Sequence, residues 1–185
     1  NLGSGRYSSL CLIAKALRQV NAHEQRIVFD IYTSTVLSEK LRSRLNTGET
    51  TLHDAVSFEK VLELQRRADI LVHVEGLSLK ERLDVAHSFS TKIVDYLQQC
   101  KPIFVVGKDD CASIRYFTDN DSGIVAQNYD EIVRKLTAVA ASPEILEDYA
   151  EKAWTCGEKN HRKSIHQEAL KNDLLNVVKQ TNKTR

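Results

Sequence analysis

The chain has 185 residues, of which 42% are hydrophobic, with two prolines and a formal net charge of +1. That size and composition suit one ordinary globular domain with a real core and exclude a disordered or fibrous chain. The near-neutral balance excludes the global basic field of nucleic-acid binders, and no apolar run approaches the ~20 residues that cross a bilayer.

The chain opens on Asn1-Leu2-Gly3-Ser4-Gly5, which reads as a strand-to-helix loop whose preceding strand is not in the sequence. The absence of methionine points the same way, to a fragment, and no signal peptide is visible. Leu10, Ile13, Ala14, Leu17 and Val20 then recur at helical spacing over residues 6–20, with Asn21 as the stop. "RIVFDIYT" (26–33) is β-branched and aromatic and predicts a buried strand. A charged helix is expected from about Leu37 to Leu45, then a turn at Gly48 and a short strand in "TLHDAV" (51–56). Ser57 suits the N-cap of a helix carrying Val61, Leu64 and Ala68 on one face.

"DILVHVEG" (69–76) is the next strand, and 77–88 is either a long polar loop or a short helix. A helix over 90–99 leads through Lys101-Pro102 into the strand "PIFVVG" (102–107). Beyond it lie a short helix (111–117), a short strand (123–126) and a helix from Tyr129 to Ala140. Pro143 starts a further helix and residues 166–180 make a last one. Strands alternating with helices at crossover length imply an α/β, doubly wound, mainly parallel sheet covered on both faces. Ligands in such folds lie at the carboxyl ends of the strands. The functional loops are therefore expected at Leu2–Arg6, Thr33–Leu37, Val56–Ser57, Glu75–Phe89 and Gly107–Ala112.

Cys11, Cys100, Cys111 and Cys156 form no C-x-x-C pair, and no histidine stands at zinc-ligand spacing from them. They read as reduced thiols packed as small hydrophobes, with no metal site.

Candidate binding residues cluster at the expected loops. Ser90 or Thr91 can cap the helix at 90, whose N-terminus carries roughly half a positive charge. Lys92 in its first turn opposes that dipole, so it either reaches an acid or helps hold an anion. Asp95 shares a face with Thr91 and Lys92, fit either to accept from sugar hydroxyls or to pair with Lys92. Gly3-Ser4-Gly5 lets a backbone approach a ligand closely, and Arg6 adds a planar fork of donors. The loop lacks the third glycine of a dinucleotide fingerprint, and no Gly-Lys-Ser/Thr of a Walker A loop is present. Glu75 ends a strand at the ligand edge, where a solvated loop acid is the plainer reading. His73 and Asp30 fall inside strands and read as satisfied core polar groups.

Three segments carry a resemblance. They are "NLGSGRYSSLCLIAKAL", "RRADILVHVEG…FSTKIVDYLQQCKPIFVVG" and "SGIVAQNYDEIVRKL". Together they resemble the C-terminal nucleotide-sugar-binding domain of GT-B glycosyltransferases, in the group with retaining, family-four-like members, over about residues 1 to 140. The acidic pair of that pattern departs here: its second member falls on Asp95 and its first on His87, and Cys100 stands where the glycine before Lys-Pro is usual.

The resemblance implies a single domain, the Rossmann-like donor half of a two-domain GT-B enzyme, with extra C-terminal helices over 143–180. It implies that Ser90, Thr91 and Lys92 face the diphosphate of a nucleotide diphosphate sugar, with Gly3, Gly5 and Arg6 closing on it. Asp95 would bind the ribose, the backbone near Val56 and Ser57 the base edge, Glu75 would line the donor site, and His87 would approach the sugar or distal phosphate as the catalytic candidate. No cofactor or metal is implied. The acceptor would sit on an N-terminal domain that these residues lack, so the chain alone would transfer nothing. The setting implied is cytoplasmic polysaccharide biosynthesis, and it allows peripheral membrane association of the full-length protein. Two other readings remain: a non-catalytic nucleotide- or sugar-binding module, and a nicotinamide-dependent oxidoreductase, against which the missing third glycine argues.

Overall fold

The computed structural model describes residues 2–3, 5–24 and 26–183, with side chains except at His166 and 177–183. Asn1 and Ser4 of the opening loop lie outside the described residues. The elements run α1 (Arg6–Val20), β1 (Phe29–Thr33), α2 (Glu39–Leu45), β2 (Thr50–Asp54), α3 (Phe58–Arg67) and β3 (Leu71–Val74). They continue with α4 (Leu79–Leu83), α5 (Lys92–Leu97), β4 (Ile103–Val106), α6 (Ala112–Asp119), β5 (Ile124–Ala126), α7 (Tyr129–Ala141), α8 (Glu144–His161) and α9 (Lys163–Lys183).

Every strand pair is parallel, in two groups: β1 beside β2, and β3-β4-β5 with β4 central. Parallel neighbours need a crossover, and α2 joins β1 to β2, α4 and α5 join β3 to β4, and α6 joins β4 to β5. β4 is buried along its whole length. Its alternation sends Phe104 and Val106 to one face, into a cluster with Leu10, Ile13 and Leu17 of α1 and Ile132 and Leu136 of α7. Ile103 and Val105 go to the other face, with Ile93 and Leu97 of α5, Ile114 and Phe117 of α6, and Ala153 of α8. Each fully buried Ile, Val or Leu contributes about 1.5–3 kcal/mol over leaving it exposed. The first cluster also takes in Ile31, Leu45 and Leu52, so one apolar cluster spans both strand groups.

Three elements differ from expectation. β1 is not buried on both faces: Ile31 and Thr33 are buried, whereas Asp30 and Tyr32 are exposed. Asp30 is therefore a surface group, paired with His53 at 2.7 Å rather than satisfied in the core. The helix expected over 90–99 is only Lys92–Leu97, because Cys100 takes a left-handed φ of 52° that turns the chain toward β4. The ambiguous stretch after β3 forms the short helix α4, started by a reciprocal capping box between Ser78 and Glu81.

The thiols divide as well. Cys111 and Cys156 are buried as expected, but Cys100 is exposed. α8 is fastened at its far end by Tyr116 of α6, whose hydroxyl lies 3.1 Å from Cys156 Sγ, 2.9 Å from His161 Nε2 and 3.1 Å from the donating Asn160 Nδ2. α3 is amphipathic, yet none of its residues is fully buried, and Val61 and Leu64 join neither core cluster. Among the described residues, no helix is long and apolar enough to cross a membrane.

Candidate functional site

The carboxyl ends of β1 and β3 bring the opening loop, α4 and α5 together. Gly5 caps α1 with φ 78°, a left-handed turn that glycine makes without steric cost. Leu2 N donates to Thr35 Oγ1 at 3.2 Å, which ties the loop to the end of β1. Ser9 Oγ donates to the Glu75 carbonyl at 2.6 Å, which ties α1 to the end of β3.

Between these ties stands a buried charge cluster. Arg6, the first residue of α1, places Nη2 2.9 Å from Glu75 Oε2, and its side chain is only 26% exposed. Glu75 is 1% exposed, so the solvated-acid reading is overturned. The contact is a close ion pair whose alignment is not that of a hydrogen bond, since Glu75 Oε2 has no hydrogen-bond partner. Ser113 Oγ donates to the other carboxylate oxygen at 3.5 Å, a long contact.

His73 lies two residues before Glu75, on the same face of the strand, and its Nε2 stands 3.6 Å from Glu75 Oε1. Burial first, then the positive charges of Arg6 and Lys92, hold its imidazole down at about 4. It is neutral at pH 7, and Nε2 has no hydrogen-bond partner. The sequence reading of His73 as a satisfied core group therefore fails on satisfaction, not on burial.

A cavity of about 1650 Å³ opens beside this cluster, and Arg6, His73, Ser90, Lys92 and Asp95 all line it. Lys92 and Asp95 are exposed and make no ion pair with one another; Ser90 is half-buried. No side chain caps α5: Thr91 is its N-cap and makes no such hydrogen bond, and the Ser90 carbonyl accepts from Ile93 N at 3.1 Å. Val56 is exposed, and Ser57 is the N-cap of α3, its Oγ accepting from Lys60 N at 3.3 Å. Neither lines the cavity, and His87 stands exposed on the turn after α4, also away from it. Gly3 is exposed in the opening loop.

Glu81 is a site residue that the sequence alone does not reveal. Its carboxylate lies so close to Gly5 that a Cβ there would come within 2.2 Å of Glu81 Cδ. Arg82, paired with Asp110, holds α4 against the loop after β4. The Ser78-x-x-Glu81 spacing was a legible helix start, but nothing in it says that the acid faces a glycine seventy-odd residues away. Chemically, the site offers two cations around a neutral imidazole and a committed carboxylate. It can attract and orient an anion.

Among solved structures, the chain is similar to WaaG, described as a glycosyltransferase involved in lipopolysaccharide biosynthesis, with a TM-score of 0.62 at 16% identity. The match covers 91% of this chain and 43% of that one, so the chain spans less than half the length of WaaG. No family model matches, and no curated protein matches in sequence. The chain has an α/β fold of parallel strands, the Rossmann-like half of a GT-B fold with extra C-terminal helices.

Proposed function

We propose that the chain is the donor-binding domain of a glycosyltransferase, C-terminal in its parent enzyme and of the family-four-like, retaining group. It binds a nucleotide diphosphate sugar at the carboxyl edge of its strands. The observation that carries this reading is the cluster of Arg6, His73, Glu75 and Lys92 beside an open cavity, on a fold shared with a glycosyltransferase. Arg6 keeps donors free of Glu75, and Lys92 is unpaired, so a diphosphate entering here meets two cations in a partly desolvated pocket, where charge-assisted contacts are strongest. His73, kept neutral, adds a hydrogen-bond donor without a further charge. Asp95 takes the ribose hydroxyls, and the backbone near Val56 and Ser57, outside the cavity itself, reads the base edge. His87 comes to the sugar with movement of the turn that carries it. Stabilising the leaving diphosphate in this way requires no metal. The acceptor belongs to an N-terminal domain, in a cytoplasmic pathway of polysaccharide assembly.

The test is calorimetric titration with nucleoside diphosphates, their sugars and NADH, followed by nucleotide release with and without a lipid-linked or oligosaccharide acceptor. A donor sugar nucleotide should bind, NADH should not, and no acceptor-dependent turnover should appear. Binding at 100 times Kd should add roughly 2.7 kcal/mol of stability. Glu81 supplies a second arm. Its carboxylate against Gly5 repels an incoming phosphate, and Glu81→Gln removes the charge while keeping the capping box. Affinity for the diphosphate should rise about five- to tenfold. Unchanged affinity would place the phosphate away from the opening loop.

A further inference from the structure

The far end of α1 carries a second group of cations. Cys11, Lys15 and Arg18 follow one another at i, i+4 and i+7, so they stand on one stripe of the helix. Ser43 and Arg44 of α2 and Thr47 of the turn after it stand opposite, and the six residues line a pocket of about 360 Å³. That is the small end of the range for ligand pockets, ~300–1,000 Å³. Lys15 and Arg18 lie roughly 14 and 18 Å along the helix from Arg6. None of the six lines the large cavity of the candidate donor site.

The charge here is one-sided. No carboxylate lines the pocket, and α1 has no acidic residue along its length. Among the described residues, Lys15, Arg18 and Arg44 make no ion pair. Lys15 rests over the Tyr129 ring, 4.5 Å from its centroid, and Arg44 lies beside the Tyr7 hydroxyl. Both contacts hold a cation in place without neutralising it. Glu49, two residues beyond Thr47, stays out of the pocket. The hydroxyls complete the wall. Ser43 Oγ donates back to the Lys40 carbonyl at 3.1 Å, whereas Thr47 Oγ1 is buried with no hydrogen-bond partner. A turn about χ1 brings that hydroxyl to a ligand in the pocket.

A plainer account is that Arg18 and Arg44, each in the last turn of its helix, answer the negative ends of the two helix dipoles. Those ends carry at most about half a charge each, so three cations leave roughly two positive charges over. A phosphate monoester at pH 7 carries about −1.5 to −2. Its shape fits as well. Two planar guanidinium forks and an ammonium exceed what the two oxygens of a carboxylate can accept, but they suit the three outer oxygens of a phosphate.

We propose that this pocket binds a phosphate monoester group, carried by a soluble metabolite or by a lipid headgroup. Lys15, Arg18 and Arg44 take its charge, and Thr47 donates to it. Cys11 marks the floor. The site stands independently of the proposed donor.

Cys11 supplies the readout, and Cys100, exposed and outside the pocket, is the internal control. The intact chain is alkylated with iodoacetamide, and the two thiols are followed separately by peptide mass. With a Kd on the order of 1 mM, inorganic phosphate at about 10 mM should slow Cys11 roughly tenfold and leave Cys100 unchanged. Sodium chloride at equal ionic strength should slow neither. Arg18→Gln and Arg44→Gln change exposed side chains, and each should weaken the protection about tenfold. Lys92→Gln, in the other site, should leave it as it was. Glucose 1-phosphate and vesicles containing phosphatidic acid are then compared. Protection by the first assigns the group to a soluble ligand, and protection by the second to a membrane lipid. The phosphorus NMR line of inorganic phosphate should also broaden with the parent and sharpen with the double arginine variant, which decides the matter even if Cys11 reacts slowly. An unchanged line together with an unprotected Cys11 would overturn the proposal. So would protection that chloride reproduces or that survives loss of both arginines.

Discussion

Replacing Arg6 removes the cation 2.9 Å from a carboxylate that is almost wholly buried. That pairing makes Arg6 part of the fold as well as of the candidate site. Arg6→Ala should lower unfolding free energy by about 2–3 kcal/mol, toward the lower end for a broken buried pair because the arginine is a quarter exposed. Adding Glu75→Gln should restore most of it, since the amide carries no charge to strand; urea denaturation of the two variants checks this, and a double variant no better than the single would refute it. His73 gives the same cluster a pH dependence. Its folded value, about 4, lies below its ordinary 6.5, so between those values the unfolded chain binds the extra proton. Stability from this group is therefore full above pH 6.5, falls as pH drops toward 4, and loses about 3 kcal/mol in all. Denaturant unfolding of His73→Gln beside the parent should show a shallower loss across that window.

Among elements, the turn from α5 into β4 carries a visible strain. Cys100 holds a φ of 52° that a side chain adopts at a cost of roughly 1–2 kcal/mol. It is exposed, so little packing offsets the cost. Glycine removes the clash but loses about 0.5–1 kcal/mol in backbone entropy. Cys100→Gly should thus stabilise the chain by ~1 kcal/mol, read as a rise in thermal midpoint, and a fall would mean the thiol packs better than its exposure suggests. This turn also shows what was legible in the sequence. Helical spacing put α1 at 6–20, as observed, and β-branched runs located every strand within a few residues. Periodicity reports burial of a face, and those faces are buried. It does not report φ, so the expected helix over 90–99 overruns Leu97, where α5 ends before the turn at Cys100. Nor does it report which distant groups meet: Glu75 read as solvated because strand ends usually are, and Arg6, which covers it, is sixty-nine positions earlier in the chain. Glu81 against Gly5 was invisible for the same reason.

For the molecule as a whole, α9 is the part that contributes least. Its described side chains are exposed, Leu170 and Leu174 among them, and its start is joined to α8 by one turn. Removing residues 163–185 should change unfolding free energy by less than ~0.5 kcal/mol, measured in urea; a larger loss would reveal a docked helix. The opposite holds at the other end. Among the described residues, no strand of one group pairs with a strand of the other, and every strand pair joins neighbours in the sequence. Each group can therefore zip from local contacts, and long-range closure falls to the cluster around α1, which holds Ile31 and Leu52 of one group and Phe104 and Val106 of the other. That cluster is thus the hinge pin of cooperativity. Whether heat melts this chain in one transition or in two depends on how firmly it holds both.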